Sequence, residues 1–356
     1  MYLPIPNAFG VPAYYIEVDI LNMMERVMLE ELNFYSNLAK TNLDRKDVVI
    51  GISLPDQLIP KWLRTKKYME QCARTKNGVM LKIENADFDA ARQASQVENL
   101  ISQGIDVLIL APVDLFAAAS LVEKAHKAGI KVVNYDRLIK NCYADFYISF
   151  NGLKVGELQG EYLIREVPTG NYIILSGDSR DFNARLYKNG AMEYIQPLVS
   201  VGNIKIAADK AVKNWDPKIA FKIVEQALID NNNNIDAILA PNDTTAGGAI
   251  EALKAQGLAG KVTVTGQNAD LDAVRRIIEG TQSMTVFKDD REEARIAVDA
   301  AVKSACNEPV TEDLLINNGK INVPSIILTP IVVNRHNISD VLIASGYLKP
   351  GEVYNM

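Results

Sequence analysis

The chain has 356 residues, enough for two domains of ordinary size, and its 48% hydrophobic and 23% charged residues are typical of a globular protein. The formal net charge of −6 argues against nucleic acid as a partner, because phosphate backbones recruit clustered lysine and arginine. Three cysteines without a CxxC pair and only two histidines speak against a disulfide framework or a zinc site, so we expect no metal and no cofactor.

Residues 1–45 precede the first predicted strand. Their apolar side chains recur at three- and four-residue steps, as on one face of a helix, at Leu21, Met24, Met28, Leu32, Tyr35 and Ala39. We therefore expect an N-terminal helical extension. It either packs on the rest of the chain or binds a membrane partner or a second copy of the protein. The first twelve residues lack the pattern of a signal peptide, which leaves open whether such a segment has been removed.

From Lys46 onward, short β-branched runs alternate with helical patterns. Strands are predicted at 48–54, 79–84, 106–112, 131–136, 144–151, 171–178, 204–212, 235–243 and 261–268. Helices are predicted at 62–76, 92–103, 117–127, 183–195, 217–230, 245–257 and 271–280. This alternation predicts an α/β fold of two doubly wound domains, each with a parallel sheet covered by helices on both faces.

The tail of the chain breaks this alternation. A strand at 283–290 and a long helix at 291–306 are followed by an apolar run at 324–333. Short strands that cross back and forth between the two domains fit this pattern, and we expect them to form a multi-strand hinge.

Two strand ends read almost alike, "LILAPVD" at 108–114 and "AILAPND" at 237–243. In doubly wound folds the ligand lies at the carboxyl ends of the strands. If the two domains face one another, both Ala-Pro-x-Asp ends are expected to face one cleft. The glycines of "TTAGGAI" match no phosphate-binding motif, and we interpret them as small residues that let a helix pack close to a sheet.

Polar side chains follow almost every predicted strand. They are Asp136, Arg137, Asp181, Asn183, Asn242, Asp243, Asn268, Asp270 and Lys288. The chain's two tryptophans, Trp62 and Trp215, are predicted in loops just past strands, where partly exposed structural rings are the alternative to a functional role.

This combination of side chains suits a free sugar. Planar amide, carboxylate and guanidinium groups satisfy hydroxyls in pairs, and aromatic rings pack on the C–H faces of a pyranose. A glycosidase that uses Asp136 with Asp243 or Asp181 is the alternative, but the abundant neutral amides favour recognition over turnover.

The segments "NYDRL", "NDTTAGGAIEAL", "GTQSMT" and "PSIILTPIVVN" closely resemble the type I periplasmic sugar-binding family, in particular its members specific for D-xylose. The resemblance extends from about Val48 to near the C-terminus, and residues 1–45 lie outside it. It implies a three-segment hinge between one lobe of residues 46–149 with 288–327 and a second of residues 150–287 with 328–356. It also implies a non-enzymatic, extracytoplasmic protein that closes around D-xylose or a similar aldopentose.

The sugar contacts that the resemblance implies are Lys61, Trp62, Asp136, Arg137, Asp181, Asn183, Trp215, Asn242, Asn268 and Lys288. Two positions differ from the family pattern, which has arginine where Lys61 stands and aspartate where Asn268 stands. The two differences remove one planar two-pronged donor and one negative charge. The membrane protein that recognises the closed form is expected to be an ABC permease or a sensor histidine kinase. The protein itself is also a candidate to form a homodimer. An effector domain of a sugar-responsive repressor shares the architecture, but it needs a helix-turn-helix and a basic N-terminus.

Overall fold

The computed structural model describes residues 47–354, so the predicted N-terminal helical extension, residues 1–45, lies outside the described residues. The chain from Val48 onward forms one compact unit. Its strands are β1 (Val48–Leu54), β2 (Val79–Asn85), β3 (Val107–Leu110), β4 (Lys131–Tyr135), β5 (Phe146–Phe150), β6 (Gly170–Ser176), β7 (Ile204–Ala211), β8 (Ala237–Leu239), β9 (Thr263–Val264), β10 (Met284–Phe287), β11 (Leu314–Asn317), β12 (Asn322–Leu328) and β13 (Ile331–Asn334).

The helices alternate with these strands as the sequence predicts. They are α1 (Pro60–Arg74), α2 (Ala90–Ser102), α3 (Ala119–Lys127), α4 (Gly152–Glu166), α5 (Phe182–Ser200), α6 (Pro217–Asp230), α7 (Asp243–Ala255), α8 (Leu271–Glu279), α9 (Asp290–Ala305) and α10 (Pro350–Tyr354). A 3₁₀ turn at Lys213–Trp215 and a π-helical turn at Ser339–Ile343 complete the described elements. Among residues 47–354, no helix is long and apolar enough to cross a membrane.

The larger sheet has seven strands in the order β11-β12-β5-β4-β3-β1-β2. All neighbouring strands in this sheet pair in parallel, except β11 and β12, which are antiparallel. Strands β3 and β5 are buried along their whole length because helices cover both faces of the sheet. One apolar core lies between this sheet and helices α1 and α9, and a second core on the other face involves α2 and α3.

The smaller sheet is entirely parallel, in the order β7-β6-β8-β9. Helices α6 and α7 cover one face, and α4 and α5 cover the other. The prediction of two doubly wound α/β units is therefore confirmed. In the "TTAGGAI" segment, a Cβ at Gly248 would lie 2.1 Å from the Pro217 carbonyl oxygen at the start of α6. The glycine thus permits close packing against a helix, and not against a sheet as expected.

Three chain crossings join the two sheets and form the predicted three-segment hinge. The chain leaves the larger sheet after β5, returns after β10 and leaves again after β12. The apolar run predicted at 324–333 is broken at Thr329 and Pro330 into β12, in the larger sheet, and β13, which pairs with β10 in an antiparallel ribbon. Strand β11 was not predicted, because a short and largely exposed edge strand carries little hydrophobic alternation.

Asp56 shapes the entry into α1. Its Oδ1 accepts hydrogen bonds from the backbone N–H groups of Leu58 (2.8 Å) and Ile59 (2.9 Å), while the side chain is fully buried. Burial raises the pKa of Asp56 from 3.8 to about 6, despite the opposing effect of those hydrogen bonds and of Arg137. The folded protein therefore retains this proton at a pH where the unfolded chain has released it, so stability falls as pH rises from about 4 to about 6.

We expect Asp56→Asn to remove this pH dependence while keeping the acceptor. The free energy of unfolding of the variant minus that of the wild type is expected to be about 2 kcal/mol larger at pH 7.5 than at pH 4, so the variant gains stability relative to the wild type as pH rises. Urea titrations at the two pH values measure this difference. Parallel pH profiles for the two proteins would contradict the prediction.

Candidate functional site

Nine of the ten predicted contact residues line one cavity between the two sheets. The volume of this cavity is about 20 Å³, which is room for about one water, so its walls lie close together in this structure. Its lining residues are Ile59, Lys61, Trp62, Asp136, Arg137, Asp181, Tyr187, Trp215, Asn242, Gln267, Asn268 and Lys288. The tenth predicted residue, Asn183, donates from Nδ2 to the carbonyl oxygen (3.0 Å) and Oδ1 (3.1 Å) of Asp136.

The carboxyl ends of the strands supply most of these side chains. Asp136 follows β4 in the left-handed region, with φ 58°, which a short polar residue tolerates better than a branched one. Asn242 follows β8 and begins α7 with a capping box, in which its side chain accepts from the N–H of Thr245. That bond directs the amide oxygen toward the helix and leaves the Nδ2 group available to the cavity. Lys288 follows β10 and is almost fully buried.

The tryptophans differ from expectation in their elements and in their burial. Trp62 lies in the first turn of α1 and Trp215 in the 3₁₀ turn after β7, and neither lies in an irregular loop. Their exposed fractions are 1% and 3%, so the interpretation as partly exposed structural rings is wrong. Each packs edge-on against a tyrosine, Trp62 on Tyr135 and Trp215 on Tyr187, with ring centroids 6.4 Å apart in both pairs.

Trp215 is held in a strained turn by neighbouring charges. Both Asn214 and Trp215 have φ 55°, in the left-handed region that non-glycine residues rarely adopt. Asp178 fixes this turn by accepting from the N–H of Asn214 at 2.7 Å, while Arg180 donates to the Asn214 side chain at 2.6 Å. The indole ring lies directly over Gly177, where a Cβ would be 2.1 Å from Cη2 of Trp215.

We therefore expect Gly177→Ala to displace the Trp215 ring. The added methyl group has no space unless the indole moves, and a displaced ring changes the shape of the cavity. A loss of ligand affinity of tenfold or more, with a small change in unfolding temperature, is the expected result. Calorimetric titration beside thermal unfolding measures both. Wild-type affinity in the variant would show that the ring can shift without consequence.

Lys61 is the centre of a buried charge cluster. Its Nζ lies 2.8 Å from Asp136 Oδ2, 3.0 Å from Glu293 Oε2 and 3.6 Å from Asp290 Oδ1. Lys288 Nζ lies 3.7 Å from the same oxygen of Asp136. Burial by itself would raise the pKa of Asp136, but the two ammonium groups outweigh burial, so this pKa lies well below its usual value. For Glu293 burial dominates, and its pKa rises to about 7.

A second ion pair joins residues of the two predicted lobes. Arg137 Nε lies 2.7 Å from Asp181 Oδ2, and both side chains are buried. Burial raises the pKa of Asp181, and the guanidinium opposes this shift. Every carboxylate and cation of the cavity wall is thus already engaged with another protein group. Within residues 47–354, no cluster of three or more histidine, cysteine or acidic side chains is arranged to hold a metal ion.

Several neutral polar atoms of the site have no protein partner among the described residues. They are Asn183 Oδ1, Trp215 Nε1, Gln267 Oε1 and Asn268 Oδ1, all buried. A buried polar atom without a hydrogen bond is costly, by about 1–3 kcal/mol each. A molecule that both donates and accepts hydrogen bonds would satisfy these atoms.

Sequence reasoning missed Gln267, Tyr187 and Ile59. Gln267 directly precedes Asn268 at the same strand end, so the strand-end rule could have included it. Tyr187 lies one helical turn after Asn183 on α5, and helical spacing could have found it. Its hydroxyl accepts a hydrogen bond from Lys288 at 3.3 Å.

The expectation that both Ala-Pro-x-Asp ends face one cleft is wrong for their aspartates. Asp114 caps an exposed turn by accepting from the N–H groups of Phe116 and Ala117, both at 2.9 Å. Asp243 is buried away from the cavity and accepts from Thr285 Oγ1 at 2.9 Å. Only Asn242 of the second motif reaches the cavity. Asp243 is consequently not placed to act with Asp136. Asp181, the other partner considered for a glycosidase, lines the cavity but is paired with Arg137.

The fold and the enclosed polar cavity define a ligand-binding protein whose two α/β units meet at a hinge. Residues 50–309 match the model of the periplasmic binding protein domain. The chain belongs to this family, in its type I, sugar-binding branch, which consists of binding proteins and not of enzymes.

Among its relatives, the D-xylose-binding periplasmic protein of Escherichia coli is 42% identical over 324 residues, which cover 90% of this chain and 98% of that protein. The multiple sugar-binding periplasmic receptor ChvE of Rhizobium radiobacter is 32% identical, with 85% and 92% covered. The solved structure of a carbohydrate transporter solute-binding protein from Chloroflexus aurantiacus, in complex with D-glucose, superposes with a TM-score of 0.82 at 33% identity. That superposition covers 86% of this chain and 98% of the other.

Proposed function

We propose that this protein is an extracytoplasmic receptor for D-xylose or a closely similar aldopentose. The observation that carries the proposal is the set of buried polar atoms without a protein partner, at Asn183, Trp215, Gln267 and Asn268, around a cavity lined by both tryptophans. The similarity to a D-xylose-binding relative supports the choice of sugar.

The chemistry of the cavity favours a neutral polyol over an anionic sugar. Asn183 Oδ1 is an acceptor, since its Nδ2 is already committed to Asp136, and Trp215 Nε1 is a donor. A hydroxyl serves both, whereas a carboxylate or phosphate offers only acceptors near neutral pH. The cations at Lys61, Arg137 and Lys288 are no counter-ions for an acid, because carboxylates already neutralise them.

We propose further that binding closes two lobes, one of residues 46–149 with 288–327 and the other of residues 150–287 with 328–356. The membership of the sheets supports this division, since β1–β5 with β11 and β12 form one sheet and β6–β9 the other. Lys61, Trp62, Asp136 and Arg137 belong to the first lobe, and Asn183, Trp215 and Asn268 to the second. A sugar contacts both walls only in the closed form, so binding shifts the population toward closure.

Calorimetric titration with D-xylose tests the function. We expect a Kd in the micromolar range or below, equivalent to about −8 kcal/mol or more favourable. D-glucose, which adds one hydroxymethyl group to the same ring, is the matched comparison and is expected to bind more weakly. Because both tryptophans of the chain line the cavity, a change in intrinsic fluorescence should accompany binding. Absence of heat and of a fluorescence change with D-xylose would refute the proposal.

The proposed reader of the closed form is a membrane protein, either an ABC permease or the ectodomain of a sensor histidine kinase. We propose that residues 1–45 contribute to that contact or to a homodimer. A pull-down from solubilised membranes, with and without xylose, compares the full chain with one that starts at Lys46. If both chains capture the same proteins and have the same number of subunits in solution, the role proposed for residues 1–45 is wrong.

A further inference from the structure

Arg64 lies on α1 one turn after Lys61, yet it is not among the described residues that line the cavity. Its guanidinium makes three polar contacts behind the site. Nη1 donates to Asp270 Oδ1 at 2.6 Å, Nη2 to the carbonyl oxygen of Asn268 at 3.2 Å and Nε to Asp290 Oδ2 at 2.9 Å. The side chain of Asp270 is buried and that of Arg64 is partly buried, so solvent screens the pair little.

The side chain of Asp270 binds Arg64 and does not cap its own helix. It occupies the N-cap position of α8, where an aspartate usually accepts a hydrogen bond from the first turn, but its side chain makes no such bond. Its backbone N–H donates to Asp243 Oδ2 at 2.9 Å, and Gln282 Nε2 holds the other oxygen of Asp243 at 2.8 Å. The carboxylate of Asp270 is therefore fixed from behind and directed toward Arg64.

The surroundings of Arg64 come from both proposed lobes. Asp290, in the first lobe, also accepts from the hydroxyl of Tyr347 at 3.3 Å. The ring of Tyr347, in the second lobe, lies 5.8 Å from the Arg64 guanidinium carbon. Three groups of the second lobe thus contact Arg64: the Asn268 carbonyl, the Asp270 carboxylate and the Tyr347 ring. These contacts join the two proposed lobes across their boundary.

We propose that Arg64 is a positioning residue that stabilises the closed form without touching the sugar. This inference rests on the proposed closing of two lobes around an aldopentose. Because an open protein binds sugar with only one wall, the apparent Kd equals the intrinsic Kd divided by the closed fraction. Arg64 raises that fraction and also holds the loop that carries Asn268, so it sets the affinity from outside the cavity.

The experiment compares Arg64→Gln, Arg64→Lys and Asp270→Asn with the wild type. We expect Arg64→Gln to raise the Kd for D-xylose about tenfold, mainly through faster dissociation, as for the loss of a charged hydrogen bond. Arg64→Lys keeps one charged contact, so its Kd for D-xylose should lie between those of the wild type and Arg64→Gln. Small-angle scattering without sugar should show a larger radius of gyration for Arg64→Gln, whereas saturating xylose should give the wild-type value.

Arg276→Gln is the matched control. Arg276 is similarly half-buried, but its partners, the Asp243 carbonyl oxygen and Gln282 Oε1, lie with it in the second lobe. We expect this variant to unfold at lower temperature with unchanged dissociation rate and unchanged scattering. If Arg64→Gln and Asp270→Asn also lose only thermal stability, the proposal is overturned. If the wild type binds no xylose, the proposed function fails, and scattering without sugar still decides whether Arg64 favours closure.

Discussion

Replacing Trp215 with alanine is expected to raise the Kd for D-xylose by roughly 30- to 1000-fold, equivalent to about 2–4 kcal/mol. The indole is buried at 3% exposure and lines the cavity, so its removal deletes an apolar surface for the sugar ring. It also deletes Nε1, a buried donor for which the described residues supply no acceptor. Both losses affect the bound state more than the empty one.

Trp215→Phe separates these two effects. Phenylalanine keeps an aromatic face over Gly177 but has no N–H group, so we expect an intermediate loss of about tenfold. Phe116→Ala is the control, since this aromatic side chain is 51% exposed and lies away from the cavity. Calorimetric titration of each variant, with circular dichroism to verify folding, gives the comparison. Trp215→Ala with wild-type affinity would exclude this ring from the sugar site.

The position of the cavity could be predicted from the sequence because it follows from local patterns. Alternating strands and helices predict parallel sheets, and parallel sheets bring the carboxyl ends of their strands to one edge. Asp136 and Lys288 each follow a strand directly, and Asn242 lies in the short segment after β8. No knowledge of long-range contacts was therefore needed to predict that they converge. The roles of these residues as sugar ligands stay a prediction.

The pairing of charges could not be predicted in the same way. Lys61 meets Glu293, which is 232 positions away in the chain, because α1 and α9 pack on the same face of the larger sheet. Helical spacing within α9 indicates which side of the helix Glu293 occupies but not which cation lies opposite. Arg64 was likewise indistinguishable in the sequence from an ordinary helix residue, and Asp270 was noted only as a polar residue that follows a predicted strand. Their pairing depends on how the lobes meet, which is a property of tertiary structure.

The lysine at position 61 lies within a cluster of carboxylates that suits an ammonium group. Its compact ammonium lies within 3.6 Å of oxygens from Asp136, Glu293 and Asp290. A planar guanidinium would direct its donors in a fixed fork, whereas an ammonium can serve three separately placed carboxylates. The ammonium of Lys61 is therefore occupied by ion pairs within the protein, and we expect direct sugar recognition at this wall to depend more on Asp136 and Arg137.

Asp136→Asn is expected to lower the free energy of unfolding by about 3–5 kcal/mol, because it leaves Lys61 and Lys288 buried with one carboxylate fewer. The asparagine oxygen can still accept from Asn183, but its Nδ2 group then faces the Lys61 ammonium, so the variant loses the charge and one acceptor together. The pKa of Asp136 lies below its usual value of 3.8, so the carboxylate stabilises the protein at all pH values above about 4. The difference from the wild type should shrink as pH falls below 4. It should also become smaller as pH rises toward about 7, because Asp136 helps to raise the pKa of Glu293 and the wild type loses the stability of that protonated group over this range.

Asp209→Asn provides the comparison for Asp136→Asn, because Asp209 also pairs with a lysine, Lys188, but at the surface with side chains 43% and 32% exposed. Exposed pairs contribute about 0–1 kcal/mol, so this variant should unfold within 1 kcal/mol of the wild type. Urea denaturation extrapolated to water measures both variants. Equal stability of Asp136→Asn and Asp209→Asn would mean that Glu293 and Asp290 suffice for the two lysines. Because Asp136 is also a predicted sugar ligand, a parallel xylose titration should show affinity lost together with stability in Asp136→Asn, and unchanged affinity in Asp209→Asn.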